Sequence, residues 1–204
     1  IIMLSMVGPA LLIPLYVQNA LGLSALLSGL VIMPGAIING IMSVFTGKFY
    51  DKYGPRPLIF TGFILLISCT FLLCFLKVDT SYTYLIVIYA IRMFAVSLLM
   101  MPINTTGINA LKTEDISHGT AIMNFGRVMA GSLGTALMVT FMSIGAQWVV
   151  SSSEHASKEM IQRQSVAVGV DVSFALVTVF VIIAFVLALF IKEPNHLTHN
   201  SRKV

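Results

Sequence analysis

Apolar residues dominate six long runs, 1–17, 25–46, 57–76, 83–106, 119–149 and 171–191, separated by polar or Gly/Pro-containing stretches. Most of these runs approach or exceed the ~20 residues that carry a helix across the hydrocarbon of a bilayer. Backbone groups in lipid must bond within their own segment, so each run is predicted to be a helix. The ~10-residue alternating segments of a membrane β-barrel are not seen. The pattern predicts an all-α membrane protein, a bundle of six transmembrane helices over residues 1–192.

Composition removes the main alternative. The 204 residues are 57% hydrophobic and 10% charged, against about 25% charged in ordinary globular domains. A soluble domain of this length would lack the polar surface to stay in solution. The net charge of +4 is scattered at the ends of runs, which leaves no basic face for nucleic acid.

The basic residues do predict orientation. Lys48, Lys52, Arg56, Lys112, Lys192, Arg202 and Lys203 fall on one side, and Lys77, Lys158 and Arg163 on the other. The richer side is expected to face the cytoplasm, which puts both ends of the chain there, with 193–204 as a polar cytoplasmic tail. Ile1 lies inside an apolar run with neither an initiator Met nor a basic leader before it, so a fragment lacking preceding helices is expected. The stretch 150–170 is expected to be an external connection. Its Glu154/Lys158 and Glu159/Arg163 spacings suit a short surface helix, and Trp148 before it suits an interfacial anchor. Cys69 and Cys74 point to different sides of one helix and are expected to be buried thiols, with no disulfide and no metal site.

The segment from Gly47 to Arg56, GKFYDKYGPR, follows the pattern G-x-x-x-D-(R/K)-x-G-x-(R/K). Gly47 would let the second helix approach a neighbour. Asp51 would accept from N–H groups at a helix N-terminus, where the dipole favours an anion. Lys52 and Arg56 would supply cations for that carboxylate or for anionic headgroups, and Gly54 would allow a tight reversal. Such a latch could hold two helices together in one conformation and release them in another.

This segment resembles the repeated cytoplasmic signature of the major facilitator superfamily, which joins the second and third helices of each six-helix half. Further motifs are similar to the C-terminal half of the fourteen-helix drug–proton antiporter branch, the EmrB/QacA type. They are Pro14 through Ser24 with Ser28-Gly29-Leu30 and Met33-Pro34-Gly35, then Arg92, then Asn124-Phe125-Gly126-Arg127 with Gly131-Ser132-Leu133-Gly134. The resemblance covers nearly the whole chain. It departs at Pro55, where the family often has a basic residue. Gly8-Pro9 in the first run is no substitute for the Gly-Pro antiporter signature of the family's other half. The resemblance implies one half of a major facilitator fold, no cofactor, a proton gradient as the driving force, and a titrating or drug-binding acid in helices that precede this chain.

Arg92 and Arg127 are the two charges inside runs, and membrane-embedded charges usually face a cavity or a partner. Arg92, about nine residues into its run, lies ~14 Å deep, and is expected at a cavity or gate. Arg127 is expected in a structural or gating pair. No Asp, Glu or His lies well inside a run, and Asp171 and His118 sit at run edges. Arginine stays protonated, so neither arginine can relay protons. Among uncharged candidates for cavity lining are Tyr16, Gln18, Asn39, Tyr89, Asn104 and Asn124. The resemblance, which turns the first and fourth helices toward the cavity, raises Tyr16, Gln18 and Tyr89. Gly119, Gly126, Ala130 and Gly134 share one helix face and suit close packing or sliding. Pro34 and Pro102 are expected to loosen their helices.

These readings converge on a multidrug-type efflux carrier, not an enzyme, whose partners are the bilayer, the preceding helices and a small lipophilic substrate. The alternatives are a carrier for a native lipid, peptide or amino-acid-like solute, and a non-transporting membrane scaffold or sensor subunit.

Overall fold

A computed structural model of the chain describes residues 2–109, 111–152 and 158–190. Six α-helices fill these segments: α1 (Ile2–Asn19), α2 (Ala25–Tyr53), α3 (Pro55–Leu72), α4 (Tyr82–Asn109), α5 (Ile116–Ser152) and α6 (Lys158–Leu189). Each is long and apolar enough to cross a membrane, so the chain is a multi-pass membrane protein. The tail 193–204, Ile191 and Glu154 lie outside the described residues.

Side-chain contacts set the register of the bundle. α2 and α4 run parallel: Tyr82 Oη donates to the Leu27 carbonyl at 2.9 Å, and Asn39 Nδ2 to the Met93 carbonyl at 3.2 Å. Further along, Gly47 faces Met101. α5 and α6 run antiparallel, with Ser173 Oγ donating to the Met138 carbonyl at 2.7 Å and Gly145 opposite Gly169. α1 and α5 lie parallel, Gly134 against Leu4 and Gly8 against Met138. Successive helices therefore reverse direction. One end of the bundle carries Ile2, Gly54 and Leu189; the other carries Ser24, Lys77 and Lys158.

Three boundaries differ from the sequence expectation. α2 continues to Tyr53, so Gly47, Asp51 and Lys52 belong to its last two turns. No proline falls between Thr46 and Tyr53, and the single Gly47 is not enough to stop a helix that continues where apolarity stops. α6 begins at Lys158, so most of the expected external connection continues the sixth helix, packed along α5 through Gly145 and Gly169. α3 gives way to a 3-10 turn at Leu73–Phe75. α2 and α4 run on through Pro34 and Pro102 without interruption.

The core is apolar: Leu12, Ile13, Phe63, Leu66, Leu99 and Phe174 are almost fully buried. Cys69 and Cys74 are both free thiols. α2 and α5 instead leave long apolar faces uncovered, among them Leu26, Met33, Val44, Ile122, Phe125 and Val128.

Candidate functional site

Gly54 alone joins α2 to α3. Its φ of 78° lies in the left-handed region, which glycine adopts without steric cost. Its N–H donates to the Tyr50 carbonyl at 2.9 Å and closes the last turn of α2. The expected cap by Asp51 does not form. The Asp51 carboxylate is exposed and makes no hydrogen bond or ion pair among the described residues. The reason lies in the first turn of α3, where Pro55 and Pro57 remove two of the N–H groups that a carboxylate would accept from. Lys52 Nζ lies 5.1 Å from the Tyr53 ring centroid, and Lys48 Nζ 5.8 Å from that of Phe45.

Arg92 is fully buried between helices and opens onto no solvent-accessible surface in this structure. Its Nη2 donates to the carbonyl oxygen of Ser5. That acceptor exists because Pro9, four residues on in α1, has no N–H to offer it. Nε and Nη1 of Arg92 have no partner among the described residues. Tyr16 and Tyr89 are also buried, because these faces of α1 and α4 turn into the half's own core. Tyr16 Oη donates to the Lys77 carbonyl at 2.5 Å. Gln18 is exposed, and its Nε2 donates to Ser28 Oγ at 3.0 Å, linking α1 to α2.

One cavity lies toward the Gly54 end and a second runs past the middle of α5. An inner one of about 510 Å³ is framed by all helices except α2; Met3, Phe63, Ile103 and Met123 line it, with Asn104 and Arg127 as its polar corner. A wider groove of about 880 Å³ runs along α1 and α5, past Val7, Asn124, Ser132 and Thr135. Met3 and Arg127 belong to both. Arg127 Nη2 donates to Asn104 Oδ1, an α5-to-α4 pair.

The small-residue face of α5 is divided by function. Gly134 meets the backbone of Leu4, where a Cβ would sit 2.7 Å from its Cα. Gly119 meets Leu111, whereas Gly126 has nothing within 4 Å of its would-be Cβ and opens, with Ala130, onto the inner cavity. The stripe is therefore not one continuous packing surface. A contact not anticipated from sequence is at the Lys77 end, where Asp171 Oδ1 accepts from the Leu76 N–H at 3.0 Å. Beside it, Tyr16 holds the next residue's carbonyl, so α6 and α1 grip one turn from two sides.

The family model described as Major Facilitator Superfamily matches residues 1–135. The chain is 37% identical over 185 residues to the lincomycin resistance protein LmrB of Listeria monocytogenes, covering 91% of this chain and 39% of that protein. It is 35% identical over 193 residues to LmrB of Bacillus subtilis, 95% of this chain and 40% of that one. With the multidrug export protein EmrB of Escherichia coli it shares 29% over 134 residues, 65% of this chain and 26% of that one. The chain spans about two fifths of the length of the LmrB relatives. Six membrane-crossing helices, a glycine-only hairpin between the second and third, and this match establish that the chain belongs to the Major Facilitator Superfamily.

Proposed function

We propose that this chain is one six-helix half of a secondary transporter that exports small lipophilic compounds by alternating access, driven by the proton gradient. The observation that carries the reading is the 37% identity, over 91% of the chain, to a protein named for lincomycin resistance. The uncovered apolar faces of α2 and α5 support it, since a partner half would bury part of them. In this reading the Gly54 end faces the cytoplasm, as the count of basic residues favours. The hairpin residues Gly47, Asp51, Lys52, Gly54 and Arg56 act as a latch. Asp51, exposed here, becomes partnered when the other half closes on it, so the latch works between halves.

In this reading the coupling acid belongs to the rest of the transporter, because Asp171, the acid of this half set well inside a described helix, is engaged by the Leu76 N–H at the Lys77 end. The test uses inside-out membrane vesicles holding the full-length protein and an acid interior. Addition of lincomycin or of dissimilar lipophilic cations should release protons from the lumen and dequench a trapped pH dye. A response to amino acids or peptides alone would mark a native-solute carrier. No response to any solute would favour a scaffold or sensor.

A further inference from the structure

We propose that the inner cavity at the Gly54 end binds lipophilic anions, with the acidic group of the ligand on Arg127 and its apolar body among α1, α3, α4, α5 and α6. The cavity, about 510 Å³, has the size of sites that hold small apolar molecules. Its lining is apolar except for Asn104 and Arg127. The chemistry of that polar corner is one-sided. Arg127 donates to Asn104 Oδ1, which occupies one of the amide oxygen's two lone pairs and leaves its NH₂ as a donor. A guanidinium has five N–H donors and no acceptor, and Arg127 makes no other side-chain hydrogen bond among the described residues. The corner is therefore rich in donors and carries one positive charge. No acid is among the described residues that line the cavity, where the side-chain partner of the arginine is a neutral amide.

A cation set in an apolar surround is completed by an anion, and guanidinium pairs with carboxylate or phosphate in a two-pronged geometry. A lipophilic cation would meet like charge. Helix geometry also places the site where an amphiphile could reach it. Asn104 lies five residues before the end of α4, and Arg127 eleven residues after the start of α5. At 1.5 Å per residue the corner is ~8 Å inside the end of α4 and ~16 Å inside the start of α5, so a ligand would reach it from the Gly54 end. Gly126 supplies open space beside the guanidinium, since nothing lies within 4 Å of its would-be Cβ.

The inference does not depend on the direction or coupling of transport, because binding is read without a gradient. The full-length protein in phosphatidylcholine nanodiscs is illuminated with diazirine-bearing palmitate, the matching alcohol or the matching alkylammonium, and labelled peptides are mapped by mass spectrometry. Palmitate should label the segments that hold Ile103 and Met123; the alkylammonium should neither label them nor compete. Arg127→Gln should cut palmitate labelling about tenfold and spare the alcohol, as loss of a charge-assisted pair implies. Arg127→Lys should restore part of it, which separates charge from misfolding. Gly126→Leu should fill the cavity and reduce both labels. Adding phosphatidylglycerol tells the source: competition marks a resident anionic lipid, and no competition marks a free anion from solution, each with Arg127 as its partner. Equal labelling by palmitate and alkylammonium would overturn the proposal, as would labelling unchanged in Arg127→Gln.

Discussion

The guanidinium of Arg92, on α4, is bonded to the carbonyl oxygen of Ser5, on α1, an oxygen released from its helix by Pro9. A proline inside a helix deletes one i to i−4 bond, and the freed carbonyl needs a donor when water is absent. Arg92 supplies it from a neighbouring helix. The residue read from sequence as a cavity or gate candidate is fully buried in this half, bonded to α1 through Nη2, with Nε and Nη1 unpartnered among the described residues.

Pro9→Ala should return an N–H to the Ser5 carbonyl and put it in competition with Arg92. Buried ion-bearing groups are costly to leave unpaired but often replaceable by apolar residues. Arg92→Met should therefore be tolerated, with a small change in thermal midpoint, while Arg92→Ala should lower it. In a double-mutant cycle, Pro9 and Arg92 should couple by about 1 kcal/mol. Thermal unfolding of the four proteins in detergent reads this; strict additivity would mean that the proline and the arginine act separately.

Along α5, glycines with and without a neighbour should behave oppositely. Gly134→Ala places a Cβ 2.7 Å from the Leu4 Cα and 2.9 Å from its carbonyl oxygen, backbone that cannot swing away. It should destabilise by roughly 1–3 kcal/mol, the usual range for overpacking. Gly126→Ala meets open space and should be neutral or slightly stabilising, since alanine is the better helix former. Comparing the two thermal midpoints, expression held equal, tests whether α1 and α5 lie as close as described.

At the hairpin, Gly54 combines φ 78° with ψ 176°, a conformation essentially confined to glycine, so Gly54→Ala and Gly54→Asn should each cost about 1–3 kcal/mol. Asp51→Asn should leave the thermal midpoint unchanged, because Asp51 makes no side-chain bond among the described residues, yet should lower transport if it latches the other half. Equal losses of stability and transport in Asp51→Asn would point to a structural role.

The grip on the α3–α4 turn predicts a graded series. Asp171→Asn keeps an oxygen that can accept from the Leu76 N–H and should be mild. Asp171→Val leaves that donor unpaired and should cost about 1–3 kcal/mol. Tyr16→Phe removes the bond to the Lys77 carbonyl and should cost about 1 kcal/mol. Limited proteolysis of the turn, faster in Asp171→Val than in Asp171→Asn, checks the order.

The helices and the family were legible in sequence because apolar runs of bilayer length have one solution in lipid, and because the Gly47–Arg56 spacing is specific. The polar contacts were not. Arg127 and Asn104 are 23 residues apart, and Arg92 and Ser5 are 87 apart, so only the helix register reveals them. The cap by Asp51 fails because Pro55 and Pro57, on either side of Arg56, lack the N–H groups it would accept from. The start of α6 was hidden because polarity marks where hydrocarbon ends, not where a helix ends.

The central claim, that the Gly54 end is the cytoplasmic face of a carrier half, is tested by labelling two cysteines with a membrane-impermeant maleimide. Tyr53→Cys and Asp79→Cys lie at opposite ends of the bundle at exposed positions. Cys69 and Cys74, within the apolar third run, are first replaced by alanine. The account predicts labelling of the Tyr53 position in inside-out vesicles but not in intact cells, and the reverse for Asp79. Labelling of the Tyr53 position in intact cells would contradict it.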